Sequence, residues 1–566
     1  MITGLPDFKK TMLIGAAALA LGTGLAACGA GGDGARAGEA APTSADAASI
    51  SAPSPFDETF RIKKAEEIDL DRLFALFPEA ARPTYDAVSF DKKIGATVAT
   101  GLKVSKIPAG DTEDFSGLTV ERAEFFGLNL EALESAANID GAKTSAEGEH
   151  VRFFDKVRLY GVKADNLGDN SKLSIGGLEL DQVHAQAGFL AADEDERDFS
   201  QLSLGGIYFK DLAVAEMGDE LGGVMTFRTP DFRVVGLGEG KLDAILFKDL
   251  EYDVAQNEDA VNIIGDMFGG AIGGLLDSPI GQMVSPTEER TTIGSFEWRG
   301  IDYKGLLAYR DSDVAPPTSA RDLINLGNIK VTDAVSFVNG KKFSSAPLSE
   351  LSHMEFVWLA PSKIRGQTKN AEYDFTVFAD TGDEDILSSM KELGLDKVVA
   401  NSSFSYDWDP ETGEASLVTD GNASELMQFA LKFDLAGLSL GSLDADAAEE
   451  GPVGLFAQTK FAGLNMSIQD EKFLDVAFTL ATLESDQNAE EVRSFLPALI
   501  RVASMQYAFS NSAVADSINQ LADFVEEGGG LTIEAAPEAP LTLNDFDIDD
   551  PADLVDVLGI DVTHTE

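Results

Sequence analysis

The sequence predicts an α+β protein that is mostly β: long, antiparallel, twisted sheets with Gly-Gly bulges, a C-terminal α-hairpin and a few short helices. Three observations carry this. A strand-like motif recurs along the chain, only two regions break into clear helical spacing, and Asp-Pro and Gly turn signals separate the strand-like runs. Hydrophobic residues make up 44% and charged residues 25% of the 566-residue chain, ordinary values for a protein with a large core. Its length suits two or three domains.

The motif is clearest in Leu173-Ser-Ile-Gly-Gly-Leu-Glu-Leu-Asp-Gln-Val183 and Leu202-Ser-Leu-Gly-Gly-Ile-Tyr-Phe-Lys-Asp-Leu212. A third copy is Thr291-Thr-Ile-Gly-Ser-Phe-Glu-Trp-Arg-Gly-Ile301, and looser copies lie at Gly117 to Ala123, Ile324 to Val331, Leu351 to Phe356, Gly437 to Leu440 and Gly463 to Ile468. Alternation at period two is the signature of a strand with one buried face. The central small pair shifts the phase by one, so that Leu173 and Ile175 hold one parity and Leu178 and Leu180 the other. An extra residue in a β-bulge absorbs such a shift, and glycine tolerates the backbone this requires. The spacing between copies is irregular, which excludes a fixed-period solenoid.

Taken in order, residues 1–27 read as a signal peptide: Lys9 and Lys10 precede an apolar run from Met12 to Leu25. Residues 28–55 are Gly, Ala, Ser, Pro and Asp with almost no large apolar side chain, a composition that cannot bury enough surface to fold. This stretch is a tether with a coil dimension of about 30 Å. Order is expected from Phe56, with a short helix over Ile68 to Phe77 stopped by Pro78. An N-terminal sheet-rich domain over 56–310 carries a Gly-rich helix near 260–284, with Val261, Ile264, Phe268, Ile272 and Leu275 at helical spacing. Pro316-Pro317 marks the boundary to a second sheet-rich domain over 321–566. There Ile386 to Leu393 reads as a helix, and 488–527 as a helical hairpin with Pro497 as a kink or break and Gly528-Gly-Gly530 as its end. The tail from Leu531 to Val562 is strand-like at first, then polar.

The run before residue 28 ends in Leu25-Ala26-Ala27-Cys28, and Cys28 is the one cysteine of the chain. Over about its first 30 residues the sequence resembles the bacterial lipoproteins, whose lipobox has this form. The resemblance implies acylation (palmitate) on Cys28, cleavage before it and a membrane anchor; several chains hold firmly where one is marginal. With Gly29 rather than Asp next, it further implies the outer membrane if the source is Gram-negative, with the body in the periplasm. The alternative for Cys28 is a small residue in an ordinary secretory signal, or in a membrane anchor that stays uncleaved. A Cys28 consumed by lipid leaves no cysteine for an intramolecular disulfide.

Removing residues 1–27 leaves 41 basic and 96 acidic side chains, net −55 against −54 for the whole chain. Such a surface repels phosphate backbones, so nucleic acid is not an expected partner. No cofactor is expected and no catalytic residue is assigned, since no nucleophile elbow or phosphate loop occurs. His150, His184, His353 and His564 lack metal-ligand spacing, so no metal site is assigned. The acidic clusters Asp193 to Glu196, Asp380 to Asp385 and Asp444 to Glu450 lack the ligand order of a calcium loop. Asp407-x-Asp409-x-Glu411 comes nearest and reads as a hairpin turn. Thirty-five Phe against nine Tyr and three Trp favour dry cores and apolar grooves over sugar-stacking platforms. The expectation is a non-catalytic cell-envelope lipoprotein, a tethered binding or scaffold module with an envelope protein or lipid partner. Alternatives are a lipid-handling protein with an open apolar β-groove, and a carboxylate-dependent hydrolase.

Overall fold

A computed structural model describes residues 50–566 except 53, 63–64, 78, 80–81, 108–114, 137–149, 165–171, 187–201, 218–223, 256–287, 310–315, 339, 381–387, 389–390, 442, 444–451, 483–487, 509–510, 543–544 and 546–550. Among the described residues the protein is mostly β, 57% strand and 20% helix. It divides into two compact units: an N-terminal unit, up to residue 307 with 329–340, and a C-terminal unit of 308–328 with 341–566. Among the described residues no helix is long and apolar enough to cross a membrane.

The N-terminal unit strings its strands in chain order: β1 (Ala87–Asp91), β2 (Ala96–Ile107), β3 (Phe115–Phe126), β4 (His150–Ala164), β5 (Lys172–Gln186), β6 (Leu202–Met217), β7 (Val224–Gly238), β8 (Lys241–Ala255), β9 (Glu288–Asp302) and β10 (Asn328–Val338). Each of β1 to β8 pairs antiparallel with the next, and β9 pairs with β10. Helix α1 (Leu70–Phe74) is shorter than the sequence suggests: Asp69 caps its start by accepting from the Arg72 N–H, and beyond Phe74 the chain tightens into turns in which the Leu76 and Phe77 N–H groups donate to Leu73 O and Phe74 O. Helices α2 (Leu130–Ala136) and α3 (Lys304–Leu307) complete the unit.

The Gly-small motifs work differently from a one-sided bulge. Between Ile175↔Leu212 and Gly177↔Lys210, Gly176 and Asp211 face each other outside the ladder, so an extra residue appears on both strands and register is kept. The same break recurs across the unit as Gly101/Glu121, Glu121/Gly161, Gly161/Gly176, Asp211/Pro230, Pro230/Asp249 and Asp249/Gly294. One residue on alternate strands turns left-handed: Gly101 (φ 65), Gly161 (φ 62), Asp211 (φ 50) and Asp249 (φ 47). A second line runs through Gln182 (φ 48), Gly205, Gly236 (φ 66), Asp243 and Gly300 (φ 77). Five residues lie between the two creases on each of β5 to β9, because the register between neighbours never slips.

Each crease resets the side-chain alternation. Phe227 and Phe232, five apart on β7, both meet the Phe247 ring, at centroid distances of 5.9 and 4.4 Å. Strict alternation would put them on opposite faces. Leu173, Ile175, Leu178, Leu180, Val183 and Ala185 therefore share one face of β5, and the polar residues between them share the other.

The C-terminal unit repeats the serial antiparallel plan with β11 (Lys341–Val357), β12 (Ala360–Asp374), β13 (Lys397–Asp409), β14 (Glu414–Ala423), β15 (Met427–Ala436), β16 (Lys460–Asp470), β17 (Gly530–Ala535) and β18 (Ile560–Thr565). Helices α4 (Pro452–Phe456) and α5 (Phe473–Thr482) flank β16, and α6 (Ala489–Tyr507) with α7 (Ser512–Glu527) form the expected hairpin. Asn488 and Asn511 cap α6 and α7, Gly528 (φ 76) ends α7, and α6 runs on through Pro497. Leu474, Phe524, Leu531 and Val562 form the core under the hairpin. The tail adds what its polarity hides, α8 (Pro551–Leu558) and β18.

One motif copy is no strand. Gly437 to Leu440 is a loop in which the Leu438 and Leu440 N–H groups donate to Gly413 O and Pro410 O, and both side chains are buried. Alternation of two leucines around a polar residue serves a buried loop as well as a strand. Pro316 lies within the C-terminal unit, where its carbonyl accepts the Trp358 indole N–H at 2.7 Å, and Trp358 is fully buried. The Gly-rich segment near 260–284 lies outside the described residues, as do 386, 387, 389 and 390 of the Ile386 to Leu393 helix, whose residues 388, 391 and 392 are helical.

Candidate functional site

Between the two creases the N-terminal sheet has two contrasting faces. One carries the cross-strand row Leu178↔Phe209↔Phe232↔Phe247↔Phe296. Phe209, Phe232 and Phe247 stack nearly parallel, with interplanar angles of 9° and 2°, and Phe296 meets Phe247 edge-on at 5.5 Å. Such ring pairs add about 0.5–1.5 kcal/mol each beyond area burial.

The opposite face of the same panel is charged and buried. Glu124, Arg158, Glu179, Tyr208 and Arg233 occupy one cross-strand row. Glu179 is fully buried, and Lys156, Arg158 and Arg233 nearly so. Glu179 accepts from Lys156 Nζ and from Arg158 Nε (2.5 Å), and Lys156 also reaches Asp181 at 3.3 Å. Arg233 holds Asp231 two-pronged, at 2.8 and 2.5 Å, and Arg122 holds Glu124 at 3.0 and 2.7 Å. Opposite charges directly across a ladder suit one another, and burial makes each dependent on its partner.

A strap from the N-terminal side lies over this panel. Arg158 donates to Pro55 O (2.9 Å) and Glu58 O (3.2 Å), and Arg233 donates to Ala52 O (2.9 Å). The Phe56 ring sits on Gly177, edge-on to Tyr160 at 6.1 Å and beside the Arg158 guanidinium. Phe60 lies against Phe126 at 5.1 Å, with Lys156 Nζ 4.9 Å from its centre. Ala96, Val98 and Phe126 close a small core with Phe60, Ile62 and Ile94.

Burial, together with the Asp181 and Glu179 carboxylates, pushes the Tyr208 phenol up to about 12, with Arg233 pulling the other way. Burial also raises Tyr160, with Glu124 adding to it. In the unfolded chain Tyr208 ionises near 10. Its contribution to stability is therefore complete below pH 10 and falls away as the pH rises towards 12. Difference absorbance at 295 nm should show Tyr208→Phe removing the latest tyrosine transition; an unaltered titration curve would refute the shift.

The residues singled out by sequence do not converge. His184 contacts Gln182 O, His353 sits 3.4 Å from Glu355, and His564 contacts Gly528 O beside Phe524. Asp409 accepts from the Glu411 and Thr412 N–H groups and Asp407 pairs with Arg365, as suits the hairpin turn between β13 and β14. Trp408 is buried and donates to Leu438 O. Among the described residues no group of three or more His, Cys, Asp or Glu is placed to hold a metal. Cys28, Asp193 to Glu196 and Asp444 to Glu450 lie outside the described residues, and so does Asp380 to Asp385 apart from its first residue. Sequence reasoning missed Lys156, Arg158, Glu179 and Arg233. The available signal was Lys156-Val-Arg158-Leu-Tyr160, cations alternating with apolar residues in mid-strand.

A protein-family model described only as "Uncharacterized protein" matches residues 420–565, a stretch from late β14 to β18. No curated protein matches the chain.

Proposed function

We propose that this chain is a non-catalytic protein of the cell envelope, tethered to the membrane through a lipid on Cys28, whose N-terminal sheet is a binding module. The single observation that supports binding is the apolar face of that sheet. Its aromatic row spans four strands, with Phe232 and Phe247 buried and Phe209 and Phe296 half-buried, and it continues across one crease to Phe227. Among the described elements, the 3-10 turn Pro55–Asp57 lies against β5 and α2 against β4. The turn belongs to the strap and rests on the charged face. The buried carboxylate Glu179 is committed to Lys156 and Arg158, which weighs against a hydrolase at that place.

A second reading, lipid handling, is favoured by the same face, since rows of Leu, Ile and Phe suit acyl chains. Two measurements separate the parts of this proposal. Cys28→Ser should release the protein from the membrane fraction and remove the acyl mass; retention with unchanged mass defeats the anchor. The released protein, purified without detergent, should be extracted and its phospholipid quantified. Stoichiometric lipid supports the second reading, and lipid-free protein supports the first alone.

A further inference from the structure

We propose that the charged panel of the N-terminal sheet is a groove for a peptide segment that makes a 3-10 turn and bears two aromatic residues four positions apart, and that the chain's own segment 51–62 fills it in cis. Three features argue for a recognition site rather than a continuation of the sheet. First, the strap joins no ladder over the panel: its Ala52, Pro55 and Glu58 carbonyls are read by side chains, the guanidiniums of Arg233 and Arg158. Second, those donors are anchored by the sheet's own carboxylates: Arg158 Nε rests on Glu179 and Arg233 grips Asp231, while Arg158 Nη2 and Arg233 Nη2 meet the strap carbonyls. A guanidinium has five donors in a rigid fork, so it can serve a carboxylate and a peptide carbonyl together.

Third, the aromatic seats are cut into the sheet. A Cβ on Gly177 would stand 2.7 Å from the Phe56 ring, so only glycine leaves that seat open. Tyr160 and the Arg158 guanidinium flank Phe56, while Lys156 and Phe126 receive Phe60. Backbone carbonyls bring orientation, and the two rings bring selectivity. The groove thus fits a segment of this pattern that can make the same 3-10 turn, and the tethered copy competes with an incoming one through its high local concentration.

The test uses the full chain and a fluorescent peptide of sequence 51–62. Wild-type chain should bind it weakly, because the cis segment occupies the groove. The Phe56→Ala/Phe60→Ala chain should bind it at least about tenfold tighter, a difference of about 1.4 kcal/mol. Adding Gly177→Val, or giving the peptide the same two alanines, should abolish the gain. A double variant that keeps the wild-type circular dichroism yet binds no better than wild type overturns the proposal, as does equal binding of the alanine peptide. Hydrogen exchange on the wild-type chain provides a second reading that needs no variant. The amides of segment 51–62 should exchange at least about a hundredfold faster than those of β4 to β6, as an independently opening unit. Exchange of both at one common rate shows the strap to be core and overturns the proposal.

Discussion

Glu179→Ala will destabilise the N-terminal unit by about 3–5 kcal/mol, because it leaves Lys156 and Arg158 buried without their shared carboxylate. Removing one member of a buried ionic group costs far more than the group's net worth, since the remaining charges lose their compensation in a poor dielectric. Strap carbonyls partly satisfy Arg158, but they carry no charge to balance two cations. In a unit of this size such a loss lowers the melting temperature by about 10 °C. Glu179→Gln should recover part of the hydrogen bonding and little of the charge balance, so it should fall between. Lys156→Met together with Glu179→Met should cost less than Glu179→Ala alone, because Arg158 alone is then stranded rather than both cations. Urea titration of the three variants checks this order. A Glu179→Ala midpoint equal to wild type would mean that water reaches the cluster.

The second large effect lies on a crease. Gly236→Val should cost about 3–5 kcal/mol. Its φ of 66 is left-handed, and an added Cβ would stand 2.1 Å from Asp243 Oδ2 and 2.5 Å from Cγ. Gly205→Val, on the same line but with an ordinary φ, meets Gln182 Cβ at 3.1 Å and should cost about 1–2 kcal/mol. The double change Gly236→Val/Asp243→Gly removes the overlap but not the backbone strain, so it should recover roughly half the loss. Thermal melts rank the three. Equal midpoints for Gly236→Val and Gly205→Val would show that the left-handed residue is not what holds the crease.

Those glycines show how far sequence reading reaches. On β5 the apolar residues advance by two, three, two, three and two, and that interval alone announces that strict alternation is broken. It does not announce how. Whether one strand or both carry the extra residue depends on what stands opposite, and the partner of Gly176 is Asp211, thirty-five residues on. The α6–α7 hairpin was legible because 3.6-residue spacing, Asn caps and a terminal Gly are all local. Gly437 to Leu440 misled for the same reason: two leucines flanking a serine satisfy a strand pattern without an adjacent strand to complete it.

By itself, the sequence determined the strand-rich class, the serial hairpin order, the helical hairpin and the resemblance of residues 25–28 to a lipobox. Each is written in periodicity, capping or a short motif, whose causes act within a few residues. Only the tertiary structure decided that the creases align into two lines across the N-terminal sheet, and that Lys156, Arg158, Glu179 and Arg233 share one buried face. It also decided that the strap lies upon them. Arg158 meets Pro55 across 103 positions of chain and Arg233 meets Ala52 across 181. A guanidinium reading a main-chain carbonyl leaves no mark on the side chain it contacts, so no spacing in the sequence could have announced it.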